Sequence, residues 1–116
     1  MWIFSQYGFF SFVCPRKPDG NIDSKKVVVR ARSESHLQNL QARFPKLADC
    51  RIITTPEGDY AYRLFVSKRR WALIVREMVQ EVDWDNFRKA ADAYQGAAGR
   101  HYIEAIHDVW DRMAHL

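Results

Sequence analysis

Three consecutive cations, Lys68-Arg69-Arg70, follow Ser67 and precede Trp71. Ser67 has the right chemistry to cap a helix there, which places the three cations in the first turn. Positive charge is disfavoured at a helix start, because the free backbone N–H groups already point positive there. A local rule broken without visible compensation marks a candidate site, and cations beside free N–H groups describe an anion site. Trp71 adds a ring on which a base can stack. The competing reading is a solubilising turn with Trp71 in the core.

A second basic group comes from strands. Arg30 and Arg32 share one face of an extended segment, and Arg63 projects from another. If those strands are neighbours, three guanidinium forks make a stripe suited to phosphate. Cross-strand ion pairs with Glu57 or Asp59 are the alternative.

Other constellations are less specific. His107, Asp111 and His115 are spaced four apart, so they share a helical face as weak metal-ligand candidates. That spacing also describes a solvated face, and no HExxH is present. No metal or other cofactor is expected. The run Tyr7-Gly8-Phe9-Phe10-Ser11-Phe12-Val13 is similar to the aromatic strand of RNA-recognition motifs. It has one residue too many, lacks the leading cation and precedes the first helix, so these rings read as core. There is no G-x-S-x-G, no Walker loop and no cysteine placed beside a histidine. No catalytic residue is expected, and the chain reads as a binder rather than an enzyme.

Alternating and helical periodicities supply the elements that hold these groups. Strands are expected at Trp2–Ser5, Phe9–Cys14, Val27–Arg32, Arg51–Thr55 and Tyr60–Val66. Gly8 serves the first turn, and Pro56-Glu57-Gly58-Asp59 the last hairpin. Helices are expected from Ser33 to Phe44, over 69–82, over 86–95 with Asp83 or Asp85 as cap, and over 100–114. The last should bury Tyr102, Ile103, Ile106, Val109, Trp110 and Met113. The order predicts an α+β fold, an antiparallel sheet with a ferredoxin-like core, an N-terminal β-hairpin and a C-terminal helix pair. The helix pair is the available cover for the second sheet face. Residues 1–116 read as a single domain.

Composition limits the function classes. The chain has 116 residues, 47% hydrophobic and 14% aromatic, too apolar for a disordered tail. No apolar run approaches the roughly 20 residues of a membrane span. No basic stretch precedes the first apolar segment as a signal peptide requires, so a cytoplasmic location is expected. Cys14 and Cys50 match no CxxC pattern and read as inert thiols. Residues 1–70 carry 13 basic and 6 acidic side chains, and residues 71–116 carry 5 and 8. That asymmetry gives one half a field that attracts acidic partners.

Met1-Trp2-Ile3-Phe4, Val29-Arg30-Ala31-Arg32, Tyr62-Arg63-Leu64-Phe65-Val66, Asp83-Trp84-Asp85-Asn86-Phe87 and Val109-Trp110 resemble a family of small bacterial proteins without an assigned activity. The resemblance covers nearly the whole chain. It implies a bacterial cytoplasmic or mobile-element origin, and it brings no cofactor or site residue.

The expected function is a small non-enzymatic binder. Through Arg30, Arg32, Arg63, Lys68, Arg69 and Arg70 it engages nucleic acid, a nucleoprotein complex or an acidic protein surface. Two alternatives belong to other classes: an inhibitor or adaptor of the anti-CRISPR kind, and a metal-dependent hydrolase. The apolar hairpin Trp2–Cys14 offers an edge that invites a homodimer.

Overall fold

The computed structural model describes residues 1–116. Five strands form one antiparallel sheet: β1 (Trp2–Ser5), β2 (Gly8–Val13), β3 (Lys26–Ala31), β4 (Ile53–Thr54) and β5 (Tyr62–Ser67), in spatial order β1-β2-β3-β5-β4. The helices are α1 (Glu34–Arg43), α2 (Lys68–Gln80), α3 (Phe87–Gln95) and α4 (Arg100–Met113). The fold is therefore α+β with an open sheet, an N-terminal hairpin and a C-terminal helix pair. No helix is long and apolar enough to cross a membrane.

Residues directly opposite in a ladder project to the same face, so the register sorts the side chains. Phe12, Val29 and Leu64 line up across β2, β3 and β5, with Val27 opposite Val66 beside them. These residues face α1 and α2. They enclose the main core with Phe10, Leu37, Leu40, Phe44, Trp71 and Ile74. Trp71 is 2% exposed and meets Phe12 edge-on.

On the other face, Ser11, Arg30 and Arg63 line up, with Val28 and Phe65 in the next rung. Here α3 and α4 cover only the hairpin end. A small cluster of Ala91, Tyr102 and Ile106 packs against Phe4, Phe9 and Phe87. The Tyr102 hydroxyl donates to the Ser5 carbonyl at 2.6 Å, and the Gln95 amide donates to the Gln6 carbonyl at 2.9 Å. The expected cover of the second face is thus partial.

Several expectations need correction. Trp110 and Met113 are not inward: they are 67% and 54% exposed. Helix α3 has 9 residues and α4 has 14. At 1.5 Å per residue, α4 outruns its partner by roughly 7 Å, so its last turns have nothing to pack on. Asn86, not Asp83 or Asp85, caps α3, its side chain accepting from the Lys89 N–H at 2.9 Å. Strand β4 shrinks to two residues, and β5 begins at Tyr62, with the Tyr60 ring before it lying against the Arg30 guanidinium.

His36, near the start of α1, ties the two clusters together. Its ring meets Phe10 and Tyr102 edge-on, and its Nδ1 accepts from the Phe9 N–H at 3.3 Å. Burial lowers its pKa below the usual 6.5. The unfolded chain therefore takes up this proton first as the pH falls, and stability contributed by the neutral ring is present above about 6.5 and declines below it. Thermal denaturation between pH 7.5 and pH 5 should show Tm falling with acid. The His36→Gln variant should show a shallower slope; equal slopes would remove His36 as the cause.

Candidate nucleic-acid interface

The candidate site is built on the open part of the second sheet face. One rung runs across all five strands: Trp2, Ser11, Arg30, Arg63 and Ile53 are successive partners. Neighbouring strands lie about 4.8 Å apart, so the two guanidinium stems rise side by side. Like charges directly opposite in a ladder destabilise it.

Neither arginine forms an ion pair with a carboxylate. Arg30 Nη2 donates to Ser11 Oγ at 2.8 Å, and Arg63 Nη2 donates to the Tyr60 carbonyl at 3.3 Å. The Nε of each is buried without a partner. An unsatisfied buried donor costs about 1–3 kcal/mol, and these two sit on charged groups. The sheet thus holds two neighbouring cations whose hydrogen-bonding capacity is incompletely used.

Aromatic side chains frame the pair. The Tyr60 ring receives Arg30 at 4.7 Å and Arg32 at 5.0 Å from its centroid, which fixes both stems. Phe65 stands two residues along β5 from Arg63 and is 43% exposed. Two residues of strand span roughly 6.7 Å. Beyond Phe65 lies a groove of about 370 Å³ that Asp49, Arg51, Ile53, Ser67 and Arg70 also line. Arg51 is exposed and makes no ion pair.

The six cations expected from sequence divide into two groups. Arg30 and Arg63 converge, and Arg32 joins them through Tyr60, though it also pairs with Asp59 at 3.5 Å. Lys68, Arg69 and Arg70 sit past the far end of β5. There Arg70 bonds Asp49 at 3.0 Å and the Lys46 carbonyl at 3.1 Å. The start of α2 is also largely occupied: the Ser67 side chain accepts from Arg70 N–H, and Lys68 N–H donates to the Lys25 carbonyl at 2.8 Å. Lys68 and Arg69 are exposed without ion pairs. Trp71 is buried beneath them, so its expected role as a stacking ring is withdrawn; its apolar body fills the space between α2 and β2 instead.

His107, Asp111 and His115 form no metal-binding group. His107 faces Arg88 and stacks on Trp110, and α4 ends before His115. The thiols of Cys14 and Cys50 are unbridged. Burial pushes the Cys50 thiol above its ordinary pKa, with Asp49 adding to the effect, which disfavours the reactive thiolate.

Sequence reasoning missed Arg51, Phe65 and Tyr60 as site residues. The alternation in β5 did separate Arg63 and Phe65 from Tyr62, Leu64 and Val66. What it did not reveal was which of the two faces stays open. Comparison with known proteins gives no match to any family model, curated protein or solved structure.

Proposed function

We propose that the chain is a non-catalytic bacterial cytoplasmic protein that binds a single nucleic-acid strand on the open sheet face. One observation carries the reading: Arg30 and Arg63 stand side by side on that face without a carboxylate partner. A phosphate set between two guanidinium forks offsets their repulsion and accepts from the Nη donors, which unlike the two Nε atoms are not buried without a partner. Phe65 and the Arg51 groove continue the path at a spacing that lets a base stack while the next phosphate finds a cation. A single strand suits this face better than a duplex, because the exposed ring needs an unpaired base. We also read β3-α1-β4-β5-α2 as a ferredoxin-like unit, a reading supported by β5 lying between β3 and β4.

The test is binding of labelled single-stranded and duplex oligonucleotides of equal length, with DNA and RNA, at about 50 and 200 mM salt. The single strands should bind more tightly. With about four phosphates neutralised, affinity should drop roughly fiftyfold between the two salt concentrations. No binding at the lower salt removes this reading and turns attention to an acidic protein surface as the partner.

A further inference from the structure

The free edge of β1 is built to pair with itself. Met1 and Phe12 exchange both backbone hydrogen bonds, at 2.8 and 2.9 Å. Antiparallel ladders alternate such pairs, so Ile3 and Ser5 also direct their N–H and C=O groups at β2. Those of Trp2 and Phe4 point away, and β1 has no strand on that side. Four backbone groups are thus left at the edge. Two of the devices that blunt an edge are absent, since residues 1–15 contain no charged side chain and β1 contains no proline; only the shortness of β1, four residues, limits pairing there.

We propose that two copies of the chain pair β1 to β1 antiparallel, with Ile3 on the two-fold axis. Side-chain alternation must continue across the junction, and outward backbone groups must meet one another; both conditions put Trp2 or Phe4 of one copy opposite Trp2 or Phe4 of the other. Of the registers this leaves, only Trp2 opposite Phe4 uses all four free groups, because Trp2 and Phe4 each offer one N–H and one C=O outward and exchange two bonds per pair. The junction therefore closes with four hydrogen bonds, and the Trp2 ring, 64% exposed in one copy, lies against Phe4 of the other.

Charge favours a second copy at this place. The chain carries a net +4, so two copies repel on average, whereas no side chain of β1 is charged. Beside β1, an apolar groove of about 190 Å³ is lined by Ile3, Phe4, Val79, Val82, Trp84 and Phe87. Val79 and Val82 are 68% and 50% exposed, and the second copy covers them. A four-residue strand with these flanks buries less than the about 800 Å² per partner of a standard interface. The dimer is accordingly a reversible one, with a micromolar Kd. It makes one ten-stranded sheet with both arginine pairs on the same side, about 24 Å apart from Arg30 to Arg30. It stands whether or not that face binds nucleic acid.

Sedimentation velocity on the full chain from about 1 to 500 µM tests the association, bracketing a micromolar Kd. The wild type should pass from monomer to dimer, and Trp2→Lys should remain monomeric throughout. A second measurement fixes the register, using a background with Cys14→Ser and Cys50→Ser. There Ile3→Cys should form an intermolecular disulfide under mild oxidation, since Cα atoms in non-hydrogen-bonded pairs lie about 4.5 Å apart, within disulfide range. Ser5→Cys, four residues away from its own copy across the axis, should not. A wild type that stays monomeric at the highest concentration overturns the proposal, as does equal crosslinking of the two cysteine variants.

Discussion

Replacing Gly8 with alanine should cost about 3–5 kcal/mol of stability and lower Tm by roughly 12–20 °C. Gly8 has φ +148° and opens β2 directly after the two-residue turn Gln6-Tyr7. An L-residue is strained at that φ, which accounts for about 1–3 kcal/mol. The second contribution is steric. A Cβ on Gly8 would lie 2.2 Å from His36 Cγ, far inside contact distance. His36 cannot simply swing aside, because Phe10 and Tyr102 hold its ring on both sides. Overpacking of this kind costs about 1–3 kcal/mol more. Chemical denaturation of wild type, Gly8→Ala, His36→Ala and the double variant separates the two contributions. The clash predicts that alanine at position 8 costs less once the ring is gone, because contacting residues couple. An equal cost in both backgrounds would leave backbone strain as the whole effect. A loss under about 1 kcal/mol would remove both.

The same neighbourhood shows what the sequence could and could not disclose. Strand β3 was legible because Val27, Val29 and Ala31 alternate with Val28, Arg30 and Arg32, and a half-buried strand needs that period. Helix α2 was legible because Trp71, Ile74, Val75 and Met78 keep helical spacing. The site was only half legible. Alternation places Arg30 and Arg32 on one face and Arg63 on one face, but it does not say that the two faces coincide. That follows from β5 pairing with β3 in a register setting Arg30 opposite Arg63, a relation between residues 33 positions apart. Arg51 stayed hidden for a related reason: β4 is only two residues long, and a flanking residue carries almost no periodic signal. Trp71 misled because its position beside three cations is a fact of sequence, whereas its burial is a fact of the helix face. Trp110 and Met113 continued the apolar stripe of α4 correctly, but the length of α3 sets how much of that stripe is covered.

Neutralising the arginine pair should weaken binding and strengthen the fold together. In Arg30→Gln/Arg63→Gln two guanidinium contacts to phosphate disappear. At about 1.5 kcal/mol for each charge-assisted contact, single-strand affinity should fall roughly a hundredfold. The salt slope should shrink by about 0.7, the share of the one phosphate the pair holds on a single strand. Stability should move the other way. The double variant removes a like-charge rung and two buried, unpartnered Nε–H groups, while the glutamine at position 30 remains within the chemistry that Ser11 accepts. The Arg30 contact with the Tyr60 ring, about 0.5–1 kcal/mol, and the Arg63 bond to the Tyr60 carbonyl, about 1 kcal/mol, are lost, less than the repulsion and the two unpaired donors relieved. Tm should therefore rise by about 2–4 °C. Opposite signs are the discriminating result, because a residue kept for packing lowers both quantities when removed. Were Tm to fall along with affinity, the pair would be part of the scaffold and the binding loss indirect. Were affinity unchanged, the strand would lie elsewhere on the protein. Arg69→Gln serves as the comparison: it removes one exposed cation outside the rung, so it should shift affinity only slightly and leave Tm where it is.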